Sequence, residues 1–539
     1  MPPSADPDTG MLTLTAARIV VNADATWSET FADEETGASL HRWNWLLRGL
    51  TDDPIPLSRQ QGLALMRSWI RNCSSRPSLT TDAYSTGERI VNGTLFLMLT
   101  GDGTIPRDIT EAMAWMARDV ATNVEYHRPE QTGNHALNNA RALLFAGLIA
   151  GAPAAVDLAY AICDERLPTL VTPDGFMREG SSHYHFLFTR WVLEMLWIAK
   201  RGVNDAFVRL LAPYAERLVR QCWFFLVSDK NRGDWTIPLF GDVSPDFPPS
   251  WLIGLPWSSL ACDVYRPDRL SIGPLASGWE CLFGAVTGTG SPEPRHDSFV
   301  SPSGWCRADA HGWTVFSRAS SSDGALMAGH FHRDLGGIVV FHDGAPLITD
   351  VGRSDYTNSP ISRYGISACA HSTILLDGLG AAADDATWMS GAYRAVQATI
   401  DVGGDKGQTL ITLTHNGFTR FAGSVGLHER RIRLGPAELT VEDRIAGNGR
   451  HEACLRFHFA PGIELRNRPE NGWTVGETGL QFRTGKLPNV LIQSGCAEPP
   501  HGGLFFPEYG LEQACQTLDL SGSVRLPVML THSLTLENI

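Results

Sequence analysis

Residues 337–350, GIVVFHDGAPLITD, decide how this chain is read. Two short apolar runs rich in β-branched residues flank the turn signal HDG, the pattern of two antiparallel strands joined tightly. Working outward, the same period of two begins past Trp313 and continues towards the C-terminus. TVFSRAS precedes the quoted stretch, and STILLDG, YRAVQATIDV, QTLITLTH, HERRIRLG, AELTVEDRI and ACLRFHFA follow it. Turns such as LGPAE and AGNG separate these segments. Many antiparallel strands in succession predict a β-sandwich.

Towards the N-terminus the period changes. Residues 40–230 read as helices: after Asn134, Leu137, Ala140, Leu144 and Leu148 recur at helical spacing, with Asn138 and Arg141 on another face. A second such segment begins near Ser182 with Phe188, Trp191, Val192 and Met195. Breaks such as GAPAA and TPDG suit helical hairpins packed side by side. From about residue 235 the chain turns rich in Pro, Gly, Trp and Ser (GDVSPDFPPSWLIGLPW, then GTGSPEPRHD), which suits a connector with short helices. Helices followed by strands predict an α+β multidomain chain. The expected division is an N-terminal extension at 1–39, a helical domain at 40–300 and an antiparallel β domain at 301–539.

A chain of 539 residues is too long for one ordinary core. Its 43% hydrophobic and 19% charged residues are those of a globular protein, not a disordered one. A formal net charge of −14 argues against nucleic acid as a partner. An anionic ligand would need a local cluster of Arg and His set against that field. The ten cysteines are scattered, without a CxxC pair, and read as reduced thiols. No stretch approaches the ~18 consecutive apolar residues of a membrane span. The N-terminal sequence lacks a basic start followed by an apolar run, so a cytoplasmic location is expected, or a periplasmic one if the start site is misassigned. The oligomeric state is open, a homodimer included.

Four polar clusters have chemical potential. In TGNHALNNA, Asn134 and His135 stand at a helix start, where Asn134 reads equally as an N-cap or, with His135, as a binder of a carboxylate. In DGFMREGSSHYHF, Arg178, Glu179, His183, Tyr184 and His185 crowd another helix entrance, surroundings that can tune a tyrosine for acid–base work. In GHFHRDLGG, a strand would place His330, His332 and Asp334 on one face. Asp350 and His371 flank apolar strands in LITDVGRSDY and ACAHSTILLDG. With His332 they make two imidazoles and one carboxylate, a set that suits Zn²⁺, although an ordinary buried His–Asp hydrogen bond fits as well.

Together these pieces resemble the heparinase II/III-like polysaccharide lyases, which include heparinase II, heparinase III and several alginate lyases. The resemblance rests on LHRWNWLL, NHALNNARALLFAGL, EGSSHYH, GHFHRDLGGIVVFHDGAPLITDVG and RYGISACAHSTILLDG, in the family's order over most of residues 40–380. It implies an incomplete (α/α) toroid followed by an antiparallel β-sandwich, and cleavage of an acidic polysaccharide or oligosaccharide by β-elimination. It implies Asn134 and His135 beside the carboxylate of the sugar that loses its C5 proton, Tyr184 as catalytic acid and His330 as partner base. His332, Asp350 and His371 would hold a structural zinc, and Arg178, Glu179, Arg353 and Arg363 would help bind substrate. The chain departs from the family where His371-Ser372-Thr373 replaces HNT and where Gly336–Gly337 replaces a serine. Two other readings compete: a glycoside hydrolase using Asp174 and Glu179, and a non-catalytic carbohydrate-binding protein of exopolysaccharide metabolism.

Overall fold

The computed structural model describes residues 11–21, 23–48, 57–73, 82–101, 103–127, 132–229, 235–253, 298–319, 329–382, 396–405, 407–420, 424–468, 472–485 and 487–537. The first ten residues, part of the expected extension and of the export-signal reading, lie outside the described residues, as do 254–297 of the expected connector. Two compact units account for the chain. One comprises Met1–Arg178, His185–Cys222 and Ser244–Glu293; the other comprises Glu179–Tyr184, Trp223–Val243 and Pro294–Ile539.

The first unit is helical: α1 (Glu34–Arg42), α2 (Asn44–Arg48), α3 (Arg59–Cys73), α4 (Ala83–Leu99), α5 (Arg107–Thr122), α6 (His135–Ala150) and α7 (Pro153–Leu170), with most of α8 (Ser182–Arg201) and α9 (Asp205–Phe225). Helix α6 packs against α4, α5 and α7. Its whole circumference is enclosed: Asn138, Asn139 and Arg141 are as buried as Leu137 and Leu144. A buried charge must be paired. Arg141 accordingly meets Glu88 of α4 and Glu194 of α8, and Glu194 also pairs with Arg190. Burial raises the Glu88 carboxyl above its usual range even beside Arg141. No described helix is long and apolar enough to cross a membrane.

The second unit is built on two large antiparallel sheets, of nine and eight strands among the described residues. In the first, Trp305–Ala310, Trp313–Arg318, Ile338–His342 and Ala345–Ile348 are consecutive neighbours, and Arg450–Phe459 joins the last of these to Gln516–Arg525. In the second, Ala398–Asp405, Gln408–His415, Val425–Leu434 and Glu438–Gly447 form a meander. Burial alternates along Val425–Leu434 as the period of two demands. The inward residues of both sheets (Val315, Val340, Leu455 and Leu518 from one, Ile411, Ile432, Val441 and Leu534 from the other) share one core. Each such side chain contributes about 1.5–3 kcal/mol of apolar burial, and two sheets packed through a common core are a sandwich.

The strand that would have put His330, His332 and Asp334 on one face is absent. Residues 329–337, which carry His330, His332 and Asp334, are irregular. Their backbone bonds go to loops of the same unit: His330 N–H donates to the Glu179 carbonyl at 2.8 Å, Arg333 N–H to Ile366 at 3.1 Å, and the His330 carbonyl accepts from Asp242 N–H at 3.0 Å. The three side chains therefore do not share a face by alternation. Asp334 turns to a buried ion pair with Arg318 at 2.8 Å instead. Two glycines permit this crossing of loops. A Cβ on Gly180 (φ 74°) would lie 2.2 Å from the Phe331 ring, and one on Gly241 (φ 73°) 2.4 Å from the His330 carbonyl oxygen.

Candidate active site

The first turn of α8 positions Tyr184. Ser181 Oγ accepts the Tyr184 backbone N–H at 3.0 Å, a capping bond, and donates to the Asp242 carbonyl at 2.7 Å. The Ser182 N–H donates to the Phe240 carbonyl at 3.0 Å. Residues 179–184, 240–242 and 330 are thus stitched together through their main chains.

On that scaffold the Tyr184 ring stacks on the His330 imidazole, with centroids 3.5 Å apart and planes 15° from parallel. The Tyr184 hydroxyl shares a hydrogen bond of 2.5 Å with the hydroxyl of Tyr356. Burial pushes the Tyr356 phenol well above its ordinary pKa, the neighbouring Tyr184 and Asp242 add to this, and the Arg353 guanidinium over its ring at 4.7 Å acts against it. His330 Nδ1 lies 2.9 Å from Asp242 Oδ2, and its Nε2 lies 3.4 Å from Glu179 Oε2. Arg353 Nη1 donates to both Asp242 oxygens, at 3.0 and 3.1 Å. Burial opposes ionisation of Asp242, but the hydrogen bonds from His330 and His332 outweigh it and hold the carboxyl far below its usual range.

Beside this group, His332, Asp350 and His371 are buried and each offers one ligand atom, all within 4.8 Å of one another. One nitrogen of each imidazole is engaged: His332 Nε2 with Asp242 Oδ1 at 2.9 Å, and His371 Nδ1 with Asp350 Oδ2 at 2.8 Å. The remaining atoms, His332 Nδ1, His371 Nε2 and Asp350 Oδ1, are buried without a hydrogen-bond partner. Three buried polar atoms of one group left without a hydrogen-bond partner are costly to a protein unless something binds them. Two nitrogens and one oxygen fit a metal ion.

The remaining candidates divide. Glu179 and Arg353 belong to the Tyr184–His330 group. Asn134 and His135 are residues of the helical unit. Asn134 is buried at the start of α6 but makes no side-chain cap, whereas the half-exposed His135 packs on Tyr84 with centroids 4.4 Å apart and pairs through Nδ1 with Glu125 at 2.9 Å. Arg178 is half-buried in the same unit. Arg363 is exposed on the short helix Pro360–Ile366 and donates to the carbonyl and side chain of Asn358, not to the cluster. His185, next to Tyr184 in sequence, faces away: its Nδ1 accepts from Met177 N–H and its Nε2 donates to the Leu218 carbonyl. Two members of the cluster were not foreseen. Tyr356 closes the LITDVGRSDY stretch but only folding brings it to Tyr184. Asp242 sits in a Pro-rich segment that reads as a connector, and no spacing marks it.

A helical domain followed by an antiparallel sandwich is the fold of known solved lyases. The chain superimposes on heparinase III with a TM-score of 0.67 at 16% identity, over 95% of this chain and 79% of that one. It matches the heparan sulfate lyase HepC from Pedobacter heparinus with a TM-score of 0.57 at 15% identity, over 96% and 79%. Another heparinase III structure matches with a TM-score of 0.60 at 14% identity, over 95% and 80%. The fold class is therefore the incomplete (α/α) toroid with a C-terminal antiparallel β-sandwich. Residues 292–531 match the family model described as Heparinase II/III-like, C-terminal. Over that stretch the chain is similar to the C-terminal domain of the heparinase II/III-like family. No curated protein matches its sequence.

Proposed function

We propose that this protein is a polysaccharide lyase that cleaves a uronic-acid-containing polysaccharide or oligosaccharide by β-elimination. The observation that carries the reading is the stacked pair of Tyr184 and His330, a phenol and an imidazole presented together on a rigid loop scaffold. In β-elimination a base takes the C5 proton, the electrons form the C4–C5 double bond, the C4–O bond breaks, and an acid protonates the departing oxygen. We assign the base to His330 and the acid to Tyr184. Each proton transfer is worth roughly 10²–10⁴ in rate. With Nδ1 hydrogen-bonded to Asp242, His330 would use Nε2, the nitrogen 3.4 Å from Glu179 Oε2, for the transfer. The C5 proton is a poor acid because its removal loads charge onto the sugar carboxylate. We assign Asn134 and His135 to that carboxylate, where each well-placed donor contributes on the order of 3 kcal/mol to the transition state. Glu179 and Arg353 support the pair, while Arg178 and Arg363 are assigned to more distant parts of the polymer.

The buried His332–Asp350–His371 group suits Zn²⁺. The ion's contribution when bound would be structural, tying the loop of His332 to the ends of two strands. The test is a screen of alginate, heparan, hyaluronan, chondroitin and bacterial exopolysaccharides. At least one should yield products absorbing in the ultraviolet from the new double bond. New reducing ends without that absorption would mean hydrolysis, and binding without new ends a non-catalytic protein.

A further inference from the structure

The Asp242 carboxylate lies between two histidines that have separate assignments. Its Oδ1 is 2.9 Å from His332 Nε2 and its Oδ2 is 2.9 Å from His330 Nδ1, while Arg353 donates to both oxygens. An ionised carboxylate only accepts hydrogen bonds, so each imidazole nitrogen facing it carries the hydrogen. That single fact sets two tautomers. In His332 the hydrogen sits on Nε2 and the lone pair on Nδ1, the atom left without a protein partner beside Asp350 and His371. In His330 the same carboxylate places a hydrogen on Nδ1, and Nε2, 3.4 Å from Glu179 Oε2, is the nitrogen assigned to proton transfer. The carboxylate is itself immobilised, because the Asp242 main chain is bonded to Ser181 Oγ and to the His330 carbonyl.

We infer that Asp242 is a positioning residue shared by a cation site and the acid–base pair, one carboxylate orienting the ligand nitrogen of His332 and the proton-transfer nitrogen of His330. The His330 half rests on the lyase reading; the His332 half does not. Carboxylates that accept the far N–H of a metal-bound imidazole typically affect affinity 10–100-fold when lost. A carboxylate serving two imidazoles makes the cation site and the proton-transfer geometry respond to one substitution.

The substitution is Asp242→Asn, which keeps the shape but turns one acceptor into a donor, so that one of the two N–H groups must face another N–H. Protein stripped with a chelator is titrated with Zn²⁺ against a chromophoric competitor. We expect a 10–100-fold loss of Zn²⁺ affinity in Asp242→Asn, and no binding at this site in His371→Ala, the control for what the titration reads. With Zn²⁺ saturating, kcat on the polymer found by the screen should fall by more than KM rises. Zinc affinity equal to that of the wild type overturns the proposal. Because the substitution can itself impair folding, the wild type supplies a second measurement: nitrogen-15 NMR of the histidines should show the hydrogen on Nδ1 of His330 and on Nε2 of His332. The opposite tautomer at either residue also overturns it. If no uronate polymer is cleaved, the lyase reading fails while the titration and the NMR still decide whether Asp242 is shared.

Discussion

Tyr184 offers a test at the level of one oxygen atom. Replacing it with Phe keeps the ring that stacks on His330 and removes the hydroxyl that meets Tyr356. If that hydroxyl protonates the leaving oxygen, Tyr184→Phe should lower kcat by roughly 10²–10⁴, leave KM within a few-fold and leave the circular dichroism spectrum unchanged. Initial rates followed by ultraviolet absorption measure this, and turnover at the wild-type level removes Tyr184 from the reaction. The neighbouring residues show why a motif does not assign its members. His183, Tyr184 and His185 are adjacent in sequence, yet Tyr184 stacks on His330, whereas His185 bonds to backbone groups of the helical unit.

Among the elements, the hairpin of Val425–Leu434 and Glu438–Gly447 does more than fill the sandwich. From its inner face Arg430 pairs with Asp443 at 2.7 Å, both groups buried, and sends Nη1 to the carbonyls of Gly336 and Ser372 at 2.6 and 3.0 Å. Those carbonyls belong to the loops that carry His332 and His371, so a strand of the second sheet holds the candidate metal loops. Burial opposes the charge on Asp443, but Arg430 and His428 hold its carboxyl well below the usual range. Removing one partner of such a pair strands a buried charge, at a cost of about 3–5 kcal/mol. Asp443→Asn should therefore lower the urea midpoint of the transition that unfolds the β unit. Wild-type unfolding in that variant would show that the pair contributes nothing.

For the whole molecule, the response to acid follows from histidines buried in the neutral form. Burial pushes His185 in the helical unit and His532 in the sandwich down to about 4. In the unfolded chain both protonate near 6.5. Between these values the unfolded state binds more protons than the folded one, so stability falls as pH drops, by about 1.4 kcal/mol per pH unit and group. Buried His415 and His458 act with the same sign, while His371, held up against burial by Asp350, acts with the opposite one. The melting temperature should decline as pH falls from about 6.5 to about 4, with His532→Gln flattening the decline. A melting temperature that rises on acidification through this window would contradict the account.

What could be read from one dimension was whatever depends on near neighbours along the chain. Helical spacing around Leu137 and Leu144, the period of two after Trp313 and the turn at Asp343–Gly344 follow from local backbone geometry, and they were enough for a helical part followed by an antiparallel sandwich. Near-neighbour logic stayed conditional at residues 329–337: a strand there would have put His330, His332 and Asp334 on one face, but glycines and loop-to-loop hydrogen bonds produce irregular chain. Only the tertiary structure decided that Asp242, 88 and 90 residues from its two histidine partners, joins them, and that Tyr356, 172 residues from Tyr184, meets its hydroxyl. Hydrogen bonds of this kind are set by where separate loops cross, and side-chain identity leaves no period in the sequence to announce it.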